Sequence, residues 1–152
     1  MIDRKFIGRV YPPGTIQVEE GSLRLFAKAI GETNPIYTDE AAAKAAGHRS
    51  LLAPPTFTFC LETEVYDPVQ WLREMNVDIG RILHGEQSFT YHAPVCVGDT
   101  LTFEARISDI YHKKSGALEF IVKDTKVKNQ EGKLVAEQRA VIVVSNQRDG
   151  RP

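Results

Sequence analysis

Three stretches of this chain carry groups that could do chemistry. The first is Ile30 to Tyr37, which puts a carboxylate (Glu32), an amide (Asn34) and a phenol (Tyr37) on one short loop. A carboxylate can take a proton. A phenol of ordinary pKa near 10 stays protonated at neutral pH, so Tyr37 suits hydrogen-bond donation or acid duty better than proton abstraction. The bland alternatives are a solvated loop carboxylate at Glu32, a packing role for Tyr37, and a turn held by the Asn34 side chain against nearby backbone. The second stretch is Ala53-Pro54-Pro55-Thr56. Proline has no N–H, so Thr56 keeps the donors there, as N–H or hydroxyl, unless they are satisfied locally. The third is His84-Gly85, where an imidazole could touch a ligand and a glycine could let it approach closely. A strand bulge at Gly85 beside a partly buried His84 explains the pair equally well.

Other chemistries fail on spacing. The four histidines, His48, His84, His92 and His112, include no i, i+4 pair. If His84 and His92 share a strand, eight residues at ~3.3 Å each hold them roughly 26 Å apart, so no shared metal ion is expected. No Gly-rich phosphate loop and no Gly-x-Ser-x-Gly elbow is present, and no cofactor is implied. Cys60 and Cys96 form no Cys-x-x-Cys and suggest no disulfide framework; Cys60 reads as a small core residue, and a reducing cytoplasm is expected. A formal net charge of -1 argues against nucleic-acid or membrane-surface partners. The basic groups Lys113-Lys114 and Lys123, Lys126, Lys128 read as solvated faces of hairpins. No apolar run approaches signal-peptide or membrane-spanning length.

The elements that must position these groups are legible from periodicity. With 152 residues, 42% apolar and 26% charged, one domain over 1–152 is expected. Leu23, Phe26, Ala27 and Ile30 form a helical stripe over Ser22 to Ile30, stopped by Gly31. Thr38-Asp39 can cap an alanine-rich helix running through Ala46. A third helix is expected from Pro54-Pro55 to Asp67-Pro68, with Phe57, Cys60, Leu61 and Val65 on one face. Trp71 to Glu74 adds a short helical piece. Beyond residue 78 the pattern alternates, giving strands at Ile79 to Tyr91, Leu101 to Ser108, Leu118 to Lys128 and Leu134 to Ser145; segments around Arg9 and Ile16 add another. Helices first and long antiparallel strands second make an α+β fold, with a curved sheet covering the third helix.

Four pieces, in order along the chain, carry a family resemblance: Phe26 to Gly31, Asn34 to Asp39, Leu51 to Phe57, and Leu83 to Gln87 with Gly98-Asp99. Through them the chain resembles the MaoC-like dehydratases, specifically their N-terminal-domain branch. The resemblance implies a hot-dog fold and an acyl thioester of coenzyme A or acyl carrier protein as ligand. The reaction it implies is reversible hydration of a 2-enoyl thioester to its (3R)-hydroxyacyl form.

That reaction needs a base to activate water, an acid for the α-carbon and donors for the thioester oxyanion. Where the family carries a catalytic Asp and His, this chain has Glu32 and Tyr37, which become the candidate catalytic residues. Asn34, Thr56, His84 and Gly85 become the candidate substrate-binding residues. The Asn-Pro-Ile segment sets the hydratase branch ahead of thioesterases of the same fold. Three roles follow: a substrate-binding subunit whose hot-dog partner supplies Asp and His, a self-sufficient homodimeric hydratase using Glu32 and Tyr37, or a non-enzymatic thioester-binding module. The first is favoured. Side-by-side dimerisation, with itself or with that partner, would cover the edge strands.

Overall fold

The computed structural model describes residues 1–146. Helix α1 (Glu20–Ala29), helix α2 (Glu40–Ala45), helix α3 (Phe57–Val65) and helix α4 (Gln70–Glu74) occupy the first half with strand β1 (Gly14–Gln17). Strands β2 (Ile82–Tyr91), β3 (Thr100–Lys113), β4 (Leu118–Lys128) and β5 (Leu134–Ser145) follow. They join one curved antiparallel sheet in the order β1-β3-β4-β5-β2, the hot-dog architecture. Among the described residues, no helix is long and apolar enough to cross a membrane.

Two tight hairpins build the middle of this sheet. Between β3 and β4, Lys114, Ser115 and Gly116 all take positive φ. Between β4 and β5, the Asn129 side-chain oxygen accepts from Glu131 N and Lys133 N, each at 3.0 Å, an Asx-type turn closed by Gly132. Ile16 lies in β1, and Val10 forms an isolated bridge to Arg106, so both early segments join the sheet as expected. Strand β3 runs five residues past Ser108, because Asp109 to Lys113 continue the ladder beyond an irregularity after Ile107.

One apolar cluster packs Phe57 and Leu61 of α3 against Leu101, Phe103, Val127, Val135 and Ala136 of the sheet. A second gathers Trp71, Leu72, Met75 and Val77 against Ile107, Ile110, Ile121 and Val144. Helix α3 starts at Phe57 rather than at Pro54-Pro55. Thr56 adopts φ 73, a left-handed conformation that cannot continue a helix, so the prolines form a turn in front of it.

The apolar stripe on α3 is only part of its buried face. Thr58 and Glu62, one helical turn apart, are also buried, each 4% exposed. Both carboxylate oxygens of Glu62 are occupied. Thr125 Oγ1 donates to one at 2.8 Å, and Gln138 Nε2 donates to the other at 2.7 Å. Lys123 Nζ lies 2.9 Å from the first oxygen, and Thr58 Oγ1 donates to Gln138 Oε1 at 2.7 Å. Lys123 is therefore not the solvated lysine expected of it. Its side chain is 13% exposed and its ammonium sits 5.3 Å from the centre of the Trp71 ring. The reason is the strand's period: Lys123, Thr125 and Val127 share the inner face of β4.

Truncating one member of such a set leaves a buried charge uncompensated. Glu62→Ala is expected to lose about 3–5 kcal/mol of unfolding free energy in urea melts, and adding Lys123→Met should recover part of that loss. An unchanged midpoint in Glu62→Ala would contradict a structural role for the carboxylate.

Candidate functional site

The loop after α1 is built by its own side chains. Gly31, at φ 70, ends the helix while Glu32 N donates back to Ala27 O at 2.9 Å. One Glu32 oxygen, Oε1, then accepts from Thr33 N and Asn34 N, both at 2.9 Å. Asn34 Oδ1 accepts from Ile36 N at 3.2 Å and caps the single 3-10 turn Pro35–Tyr37. Asp39 caps α2 by accepting from Ala41 N and Ala42 N, and Arg24 of α1 donates to Thr38 O. Two of the candidate groups, Glu32 and Asn34, thus hold the turn that presents the third. Tyr37 emerges half-buried at its end. Burial, the nearby charge of Glu32 and the neighbouring Tyr91 together raise its pKa above the ordinary 10.0. The phenol keeps its proton at neutral pH and can donate it in a hydrogen bond.

Tyr37 lines a cavity of about 350 Å³ with Pro54, Pro55, Thr58, Tyr91 and His92. The backbone explains the grouping. Residues 51–53 run beside 95–97, with Ala53 N donating to Val95 O at 2.8 Å and Val97 N to Leu51 O at 2.9 Å. That pairing brings the turn before α3 to the end of β2. There Thr56 N donates to Tyr91 Oη at 2.9 Å, so the candidate oxyanion donor is already engaged by a phenol. Tyr91 Oη, as acceptor, still has its own hydrogen to give. Beside it, His92 Nε2–H donates to Glu137 Oε2 at 2.9 Å.

His84 and Gly85 lie elsewhere. The β2–β5 register slips between His84 and Glu86, so Gly85 is a bulge residue. A Cβ there would come within 2.6 Å of Val143 Cγ2 and 3.2 Å of Val141 O, so close packing on β5 suffices to demand glycine. The His84 ring stacks on Phe59, 5.8 Å between centroids, and lines a second cavity of about 230 Å³ with Glu62, Tyr66, Trp71 and Lys123. The fold therefore places Tyr37 at the first cavity, joins Thr56 N to the Tyr91 that lines it, and places His84 at the second.

Two residues that line the first cavity, Tyr91 and His92, and the Glu137 that pairs with His92 were not singled out as site residues in the sequence. They meet through pairing of β2 with β5 and left no local motif. Thr58 and Glu62 did leave one, a polar i, i+4 pair inside an otherwise apolar helix. Among the described residues, no group of three or more His, Cys, Asp or Glu side chains is arranged to hold a metal ion.

Comparison with known proteins gives this geometry its context. The family model described as the FAS1-like dehydratase domain region matches residues 5–138. A UPF0336 protein of Streptomyces avermitilis is 41% identical over 110 residues, covering 72% of this chain and 73% of its own length. One from Saccharopolyspora erythraea is 34% identical over 143 residues, covering 93% and 90%. Among solved structures, a chain of the HadBC (3R-hydroxyacyl-ACP dehydratase) complex from Mycobacterium tuberculosis superposes with a TM-score of 0.77 at 29% identity. That match spans 91% of this chain and 96% of the other. With most of its length matched and its hot-dog frame shared, the chain belongs to the FAS1-like dehydratase-domain family.

Proposed function

We propose that this chain is the thioester-binding half of a heteromeric hydratase/dehydratase. Its ligand is a 2-enoyl or (3R)-hydroxyacyl thioester of coenzyme A or acyl carrier protein, and a second hot-dog subunit supplies the catalytic Asp and His. The observation that carries this reading is the state of the groups at the first cavity. Glu32 Oε1 braces its own loop, and Tyr37 holds its proton more firmly than an ordinary phenol. Neither the loop-bracing carboxylate nor the protonated phenol is set up as a base for water. Tyr37 and Tyr91, by contrast, are hydroxyl donors beside an apolar wall, which suits holding a thioester carbonyl.

The sheet supports a partner. Strand β2 is an edge, ten residues long, with Leu83 and Tyr91 exposed at its two ends. A bare edge of that length invites pairing with another strand. The similarity to a chain of a dehydratase complex is in keeping with such an assembly.

Self-sufficient hydration has one observation in its favour: Glu32 lies near enough for its charge to act on Tyr37. Turnover of a short 2-enoyl-CoA, followed by loss of enoyl absorbance, separates the two. The purified chain alone should be inactive, and a hot-dog partner carrying an Asp/His pair should restore activity. Activity of the chain alone that vanishes in Glu32→Gln would replace the subunit reading with the self-sufficient one. In the active assembly, Tyr37→Phe removes one neutral hydrogen-bond donor. It should lower kcat/KM by up to about tenfold. The Tyr37 hydroxyl has no hydrogen-bond partner among the described residues, so the unfolding midpoint should hold. An unaltered kcat/KM would take Tyr37 out of the site.

A further inference from the structure

The two cavities flank α3, and the buried polar network stands between them. Thr58 is part of the wall of the first; Glu62 and Lys123 are part of the wall of the second. The links between these residues are unbroken: Thr58 to Gln138 at 2.7 Å, Gln138 to Glu62 at 2.7 Å, and Glu62 to Lys123 at 2.9 Å. Along the helix, Thr58 and Glu62 are separated by about 6 Å of rise. Beyond this polar layer the second cavity turns apolar again, with Phe59, Trp71, Ile82 and Ile142 on its walls.

We infer that this layer is a partition that sets acyl-chain length, so that the first cavity takes a short acyl group whose tail stops at Thr58 and Gln138. The inference rests on the thioester-binding reading above. A methylene chain gains by burial against apolar surface but gains nothing against a carboxylate already saturated with donors. To pass into the second cavity it would have to part Glu62 from Gln138, Thr125 or Lys123, leaving a buried charge or amide without its partner. A tail longer than the first cavity therefore turns back to solvent. Without the partition, the same two cavities would make one longer apolar slot along α3. Specificity for short chains thus comes from a wall of hydrogen bonds rather than from a bulky side chain.

Calorimetric binding of saturated acyl-CoAs, from butanoyl through octanoyl to dodecanoyl, tests this on the intact chain, alone and with its hot-dog partner. Each methylene buried should tighten binding roughly fourfold, so affinity should climb with the shorter members and then level off. In the variant Glu62→Ala/Lys123→Met/Gln138→Val, which removes charge and volume together, the climb should continue to dodecanoyl-CoA. A wild-type affinity that keeps rising through dodecanoyl-CoA overturns the partition while leaving the thioester reading intact. Failure of the whole series to bind, with or without the partner, overturns both. The wild-type ladder decides the matter even if the triple variant does not fold.

Discussion

The constraint on which the rest of this structure depends is the burial of one carboxylate, Glu62, between the central helix and the sheet. A carboxylate taken out of water is tolerated only when its lone pairs are filled. Here β4 supplies Thr125 and Lys123, and β5 supplies Gln138. Those three donors come from two strands in one fixed register, with Thr125 opposite Gln138. Slipping either strand by one residue would turn its donor to the outer face and leave Glu62 bare. The apolar cluster around Phe57 and Phe103 holds the helix on the sheet without specifying its position along it. The polar set adds that specification.

The start of the same helix shows a related economy. Pro54 and Pro55 offer no N–H, and Thr56 turns left-handed, so Thr56 is where the N-terminal turn can make a polar contact through its backbone. That N–H meets Tyr91, a residue delivered by the far end of β2. The front of α3 is thus tied to β2, and its middle is tied to β4 and β5. Each tie faces a cavity, so the contacts that orient the helix are also the contacts that shape the spaces beside it.

Much of this frame was legible in the sequence because it follows from local rules. Alternation located β4 and β5, Gly31 stopped α1, and Asp39 capped α2. Gly85 could be read as a ligand approach or as a bulge, and the choice needed Val143, a residue on another strand. By its charge alone, Lys123 belongs at a solvated surface. Its alternation with Thr125 and Val127 pointed inward, and the alternation prevailed because Glu62 was there to receive the ammonium. The groups Tyr91, His92 and Glu137 left no signal because their meeting depends on the β2–β5 register, with Tyr91 opposite Ala136 and Thr90 opposite Glu137. In the Glu32 to Tyr37 loop the residue types were suggestive; Glu32 Oε1 and Asn34 Oδ1 accept from the loop's own backbone, and Tyr37 is the one of the three that lines the first cavity.

The position of β2 links assembly to the site. One side of this strand is hydrogen-bonded to β5, and its other side is an open edge. The same strand carries His84 to the second cavity and Tyr91 to the first. Phe89 and Tyr91, two residues apart on one face, stack with ring centroids at 5.8 Å. A strand docking on that edge would immobilise the backbone that holds Tyr91 against Thr56 N. In the proposed heteromer, then, pairing along β2 and ordering of the thioester site are one event. In that proposal, the partner that closes the open edge of β2 would be the one that completes the acid–base set.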